Sequence, residues 1–397
     1  MGEAGQNGYL AACGHVMRHI TGYAASREYA MRYLIRIALI EIVVGAILFA
    51  CAPIQTPTAT PIPQDVISSI DAYLDNLAKE GAFSGSVLIA QGDNILLSAG
   101  YGMADIENNV PNTPQTRFHI GSVTKQFTAM AVLILQAQGK IDLEEQVCSH
   151  IPDCPDDWKE ITIHQLLTHS SGLPDSWQFY ADKNKPDVSY DPEEIIGWLE
   201  DAPLDFEPGD RFSYSNTGYL LLGYLIEEVS GQSYEVFLRQ QIFEPLEMTN
   251  TGYAHDDTDL AVGYSYNGFE AEFINPSLPY SAGGLYSTVE DLYRWDQSFY
   301  TEELIPQELL DTIFTPFIST PYLPYAPPYD QVSYGYGWFV GERLGHRVAG
   351  HGGTYNGFRA LIERYPDDEI SIMILSNLES SDITVTTFPV ETIFGEG

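Results

Sequence analysis

Residues 118–125 read FHIGSVTK, and the fold is decided there. Ser122 stands at the mouth of an apolar helical run that the spacing predicts over 123–138, closed by Gly139. A serine in that place has the unpaired N–H groups of a helix start beside it. Lys125 lies one turn further along the same face. An amine within reach of a hydroxyl is the minimum arrangement for turning serine into a nucleophile without a histidine. The run itself, with Phe127, Met130, Ala131, Leu133, Ile134 and Leu135, is apolar nearly all round, as a buried central helix is. A lysine in such surroundings loses solvation, and its pKa falls from about 10.4 toward the neutral range where it serves as a base.

Two later stretches are expected to wall the same site. Tyr214-Ser215-Asn216 precedes a helical run over 216–230, in which Tyr219, Leu222, Leu225, Ile226 and Val229 share a face and Gly231 is the stop. Tyr214 suits a general base and acid that relays the serine proton. Asn216 suits a helix N-cap and a hydrogen-bond anchor for Lys125 or substrate. His351-Gly352-Gly353-Thr354 follows an expected strand at 347–350. Its glycines, Gly353 included, let a substrate approach the backbone closely. The N–H groups of Thr354 and Ser122 are the expected oxyanion donors, each worth roughly 10²–10³ in rate. A Ser-x-x-Lys pair alone carries little weight in a chain this long, and neither does Tyr-x-Asn among 26 tyrosines. Their order along the chain carries more.

Further out, helical spacing over 66–77 and two apolar runs at 85–90 and 94–100 around Gln91-Gly92-Asp93 predict a helix followed by a β-hairpin. Helices are expected at 161–169, 192–200, 233–243 and 288–300. Strands are expected at 333–340, 347–350, 357–364 and 370–376. The fold class is therefore α+β: an antiparallel sheet flanked by helices, built from both ends of the chain, with a mostly helical insertion over about 122–281.

Residues 1–30 show no periodicity and read as a mis-assigned N-terminal extension. Residues 31–51 combine a basic start with an apolar core ending at Cys51, the pattern of a secretory or lipoprotein signal with Cys51 as the lipidation site. A membrane anchor is the other reading, although Arg36 and Glu41 tell against it. Either places residues 65–397, the expected hydrolase domain, outside the cytoplasm, tethered by the Pro/Thr-rich stretch 52–64. In that setting Cys148 and Cys154 are expected to form a small-loop disulfide. A net charge of −37, from 18 basic and 55 acidic residues, excludes nucleic acid as a partner and disfavours anionic substrates at long range. The expected partners are a small-molecule or peptide substrate and, through the N-terminal anchor or lipid, a membrane. No cofactor is expected. No metal site is expected either: His164 and His169 do not share a helical face, and Asp156-Asp157 and Glu193-Glu194 read as loop and helix-start carboxylates.

The ordered motifs, with the supporting stretches HQLLTHSSGLPD at 164–175, YSNTGYLLLGYLIEEVSG at 214–231, EPLEMTNT at 244–251 and SAGGLYSTVEDLYRW at 281–295, resemble the serine β-lactamase and penicillin-binding protein superfamily. The nearer likeness is to its class C-related branch of β-lactamases, D-alanyl-D-alanine carboxypeptidases, D-aminopeptidases and esterases, and it covers about 65–376. It implies Ser122 as the acylated nucleophile, Lys125 and Tyr214 as its proton-handling partners, and His351 at the third motif. Two departures stand out. β-Lactamases of this branch usually carry lysine where this chain has His351, and a mostly neutral histidine is a poor anchor for a substrate carboxylate. Residues 386–397 also look short and irregular for the terminal helix the family packs on its sheet. The expectation is an esterase or peptidase. D,D-carboxypeptidase or weak β-lactamase action is one alternative, and a non-catalytic penicillin-receptor-like sensor or binding module is the other.

Overall fold

The computed structural model describes residues 60–176, 188–199, 202–255, 259–321, 329–381 and 384–395. The chain divides into two units, Met1–Thr58 and Ala59–Gly397, and the second is the one described. The extension, the signal or anchor, Cys51 and most of the tether therefore lie outside the described residues. Among the described residues no helix is long and apolar enough to cross a membrane.

Alternation of period two builds the main sheet. In β1 (Gly85–Gln91), Val87 and Ile89 point to one side, Leu88 and Ala90 to the other, and all four are fully buried. Both faces must therefore be covered. β2 (Asn94–Tyr101) forms the hairpin with β1. β3 (Met103–Asp105) and β4 (Val110–Pro111) pair separately. β5 (Phe118–His119) leads through the 3₁₀ turn Gly121–Val123 into α2, Thr124–Ala137. Before β1 stands α1 (Gln64–Lys79), which buries Ile67, Ile70 and Leu74 against the face that carries Val87 and Ile89.

The middle of the chain contributes α3 (Ile163–Leu167), α4 (Pro192–Gly197), α5 (Asn216–Ser230) and α6 (Tyr234–Leu238), the last continuing into a π-helical turn at Arg239–Phe243. α3 and α4 are shorter than their sequence pattern predicts. The Thr162–Gln165 capping box begins α3 late, and His169, at φ 56°, lies beyond its end. α5 runs as expected to Gly231, which takes the left-handed cap at φ 70°. β6 (Gly252–Tyr253), the short α7 (Tyr280–Gly283), β7 (Leu285–Ser287), α8 (Val289–Ser298) and α9 (Gln307–Ile313) follow.

The C-terminal part supplies β8 (Ile318–Ser319), β9 (Asp330–Tyr334), β10 (Phe339–Arg343), β11 (His346–Tyr355), β12 (Phe358–Tyr365) and β13 (Ile370–Ser376). The eight-stranded sheet runs β2-β1-β13-β12-β11-β10-β9-β8 and is antiparallel at every pairing. β1 from one end of the domain lies directly on β13 from the other, with Gly85 opposite Ser376. On the face carrying Leu88 and Ala90, the helices close a core around Phe127, Tyr219, Leu222 and Trp295.

Three expectations need correction. The single strand at 333–340 is two strands, because Gly337, at φ 78°, turns the chain between them. The motif 351–354 lies inside β11 and not after it. The chain end is not irregular: α10 (Thr384–Phe394) closes the domain. Phe388 stacks on Tyr73 of α1, and Phe394 on His346 at the start of β11. This helix contains Pro389, and its Thr- and Phe-rich sequence lacks the polar face that marks a surface helix.

Candidate active site

Ser122 lies in the tight turn between β5 and α2, and two close approaches hold that turn. Gly121, at φ 49°, runs so near β11 that a Cβ there would sit 2.5 Å from the Thr354 carbonyl oxygen. A Cβ on Gly353 would sit 1.9 Å from the Ile120 carbonyl oxygen. Only glycine fits either place. β10 pairs with β11 only as far as Gly350, so the edge of β11 from His351 onward lies open beside the serine turn. Thr354 is exposed and Ser122 half-buried at this opening. His119, within the opening stretch, stacks on Tyr355 at 4.0 Å and ties β5 to the same strand.

Lys125 rises from the first turn of α2 and is fully buried. Its Nζ lies 3.1 Å from Ser122 Oγ, 2.8 Å from Asn216 Oδ1 and 2.9 Å from the Ala282 carbonyl oxygen. Burial is the main influence on it and lowers its pKa to about 7, while the nearby Asp175 carboxylate works in the opposite direction. The geometry fixes the use of the neutral amine. An amide oxygen and a carbonyl oxygen can only accept, so they take the two N–H bonds. The lone pair is left facing the Ser122 hydroxyl.

Tyr214 lies across the amine, with Lys125 Nζ 4.9 Å from its ring centre. Its ring packs on His169 at 4.3 Å and on His351 at 6.1 Å. Asn216 is the first residue of α5 rather than its cap, a role that falls to Ser215. Its amide instead bridges Lys125 and Asp175, since Nδ2 donates to the two Asp175 carboxylate oxygens at 3.2 and 3.3 Å.

His351 is buried, with both ring nitrogens engaged inside the protein. Nδ1 lies 2.6 Å from the Gly352 carbonyl, which can only accept, so Nδ1 carries the hydrogen and Nε2 faces the Tyr334 hydroxyl at 3.1 Å. Burial, helped by the Lys125 charge, lowers its pKa to about 3, and the ring is neutral at ordinary pH. It forms the wall behind Tyr214.

The structure thus gathers Ser122, Lys125, Tyr214, Asn216, His351, Gly353 and Thr354 around one opening. Three participants were not assigned to the site from the sequence, and His169 was weighed only as a metal ligand. Asp175 holds the Asn216 amide. His169 accepts from the Ser215 N–H at 3.1 Å and backs Tyr214. Tyr334 meets His351. The first two lie in the stretch 164–175, whose Thr-His-Ser-Ser-Gly composition signals a tight polar turn. Elsewhere, His164 Nδ1 meets the Tyr336 hydroxyl at 2.8 Å, and Cys148 and Cys154 are joined in a disulfide. Among the described residues no group of three or more His, Cys, Asp or Glu side chains is placed to hold a metal ion.

The β-lactamase family model matches residues 70–387. Penicillin-binding protein 4* of Bacillus subtilis is 28% identical over 333 residues, covering 78% of this chain and 71% of that protein. The octameric penicillin-binding protein homologue from Pyrococcus abyssi superposes with a TM-score of 0.74 at 29% identity, over 83% of this chain and 78% of that one. The D-amino acid amidase from Ochrobactrum anthropi superposes with a TM-score of 0.72 at 26% identity, over 83% and 97%. With its antiparallel sheet and helices in the same arrangement, the chain belongs to the serine β-lactamase and penicillin-binding protein superfamily.

Proposed function

We propose that the chain is a serine hydrolase that cleaves an ester or amide through an acyl-Ser122 intermediate. The observation that carries this reading is the fully buried Lys125 amine, 3.1 Å from Ser122 Oγ, with its pKa lowered to about 7 by burial. Ser122 Oγ attacks the substrate carbonyl carbon as its proton passes to Lys125 Nζ. The tetrahedral oxyanion is met by the N–H groups of Ser122 and Thr354. Tyr214 hands a proton to the departing alcohol or amine as the C–O or C–N bond breaks. Water then attacks the acyl-serine, gives up a proton to the same groups, and releases the acid with Ser122 restored.

His351 places no fixed positive charge at the third motif, which favours substrates without a free carboxylate beside the scissile bond. The likeness to a D-amino acid amidase supports amides within the range. A second reading, action on wall-type peptides or β-lactams, draws on the penicillin-binding relatives. A panel of p-nitrophenyl esters, amino acid amides, D-Ala-D-Ala peptides and a chromogenic cephalosporin separates the two. Hydrolysis of esters or amides, abolished in Ser122→Ala, is expected. Full activity in Ser122→Ala would remove the proposal. A stable mass adduct on Ser122 with no turnover would turn it into a receptor.

A further inference from the structure

A cavity of about 560 Å³ opens on the helical side of the domain. Tyr190, Tyr234, Tyr253 and Tyr280 are among the residues that line it. Tyr234 and Tyr280 lie 5.1 Å apart and inclined at 54°, Tyr253 and Tyr280 6.4 Å apart at 70°, and Tyr234 and Tyr253 6.5 Å apart at 83°. Rings set at such angles meet edge to face and do not stack; Tyr234 and Tyr280 are buried and Tyr253 is half-buried. Two carboxylates, Glu227 and Glu235, also line it. Glu235 is engaged by His255, whose Nε2 lies 3.1 Å away. Glu227 is half-buried and accepts the Tyr234 N–H at 2.7 Å, but no cation partners it among the described residues. No lysine or arginine lines the cavity among those residues. The Tyr280 hydroxyl is buried with Glu227 as its neighbour. Tyr280 also adopts φ 38°, a backbone conformation that residues with a Cβ seldom take without a functional or packing reason.

This cavity is not the serine site, but it is close to it. Tyr280 and Ala282 both belong to α7, and the Ala282 carbonyl is one of the acceptors of Lys125 Nζ. The Tyr234 hydroxyl lies 2.7 Å from Thr128 Oγ1, one turn beyond Lys125 on α2. One helical turn therefore separates the cavity from the buried amine.

We propose that the tyrosine-lined cavity binds an organic ammonium group. Tyrosine rings and a carboxylate that no lysine or arginine pairs among the described residues are the chemistry that recognises a weakly hydrated cation. The strong negative charge of the chain concentrates such ions near its surface. The ammonium belongs either to the substrate or to a free amine. Only the choice between these sources rests on the hydrolase reading, because binding itself needs no turnover.

The test is calorimetric titration of the full Ser122→Ala chain with choline and with 3,3-dimethylbutanol, its uncharged isostere. Choline is expected to bind at least about tenfold more tightly than the isostere. Glu227→Gln, which keeps an oxygen for the Tyr234 N–H, is expected to remove that preference. Tyr253→Leu is expected to weaken choline and Tyr253→Phe to leave it bound. Equal binding of the two ligands, or no binding of choline at millimolar concentration, overturns the proposal. So does an unchanged preference in a folded Glu227→Gln variant. Should that variant fail to fold, the choline–isostere comparison on the parent chain still decides. The source is assigned by p-nitrophenyl esters with a trimethylammonium or a tert-butyl acyl end. If the substrate carries the ammonium, the kcat/KM ratio of the two falls in Glu227→Gln. If a free amine is the ligand, choline still binds and that ratio stays the same.

Discussion

Lys125 and Arg343 are both buried cations, and the domain treats them in opposite ways. Arg343, at the end of β10, meets the fully buried Glu363, with Nη1 3.1 and 3.2 Å from the two carboxylate oxygens. Tyr329 and Tyr365 donate their hydroxyls to the same carboxylate. Burial pushes the Glu363 carboxyl up, and the Arg343 charge and these hydrogen bonds pull it back. Every lone pair facing the cation belongs to an anion held in place for it. Lys125 is also buried, but its near acceptors, Asn216 and Ala282, are neutral, and its carboxylate, Asp175, stands one residue removed behind Asn216. Burial therefore prevails. A buried cation with its anion is a structural fastener. A buried cation among neutral acceptors gives up its proton near pH 7 and is available for chemistry.

The largest break in that comparison comes from removing the amine. Lys125→Met keeps volume and loses the lone pair, and kcat/KM for the best ester or amide is expected to fall about 10²–10⁴-fold. The thermal midpoint should hold or rise, since an unmatched buried amine is gone. Activity within a few-fold of the parent would mean that Lys125 is not the base. Next comes the fastener. Glu363→Gln strands Arg343 and is expected to cost about 3–5 kcal/mol in a urea titration. The activity per folded molecule should stay unchanged. The double variant Arg343→Met with Glu363→Leu should recover most of that loss, and failure to recover would show that the pair does more than satisfy itself.

The smallest effect tests the position of Asp175. In the proposed mechanism Lys125 is neutral when it accepts the serine proton, so kcat/KM is expected to rise with pH through about 7. Asp175 favours the charged amine, so Asp175→Asn should move that rising limb to lower pH by a fraction of a unit. A shift to higher pH would reverse the assigned sign.

The candidate site residues were legible because each carries its chemistry in its type and spacing. Ser122 and Lys125 sit on one turn, and Tyr214 with Asn216 opens a helix of unmistakable period. Asp175 and His169 were not legible, since they act through Asn216 and Tyr214 and lie in a turn whose partners are distant in sequence. The break between β9 and β10 was hidden because Tyr-Gly-Tyr-Gly-Trp-Phe alternates like a continuous strand until Gly337 takes a positive φ. The terminal helix was missed for a related reason. Phe388 and Phe394 are dictated by Tyr73 and His346, which no local pattern reveals.

The pairing of β1 with β13 has a consequence for how the molecule comes into being. The first strand of the sheet finds its neighbour only when the last strand exists, nearly the whole domain later. Contacts so distant along the chain are slow to form and wait for the late part of the domain. Until β13 is in place, β12 and β11 have no sheet to join on that side, and the glycine-lined edge beside Ser122 has no fixed position. A ribosome-bound chain lacking residues 370–376 should therefore have no organised serine turn. Competence arrives in a single late step, and arrested-chain labelling of Ser122 with a fluorophosphonate would time it.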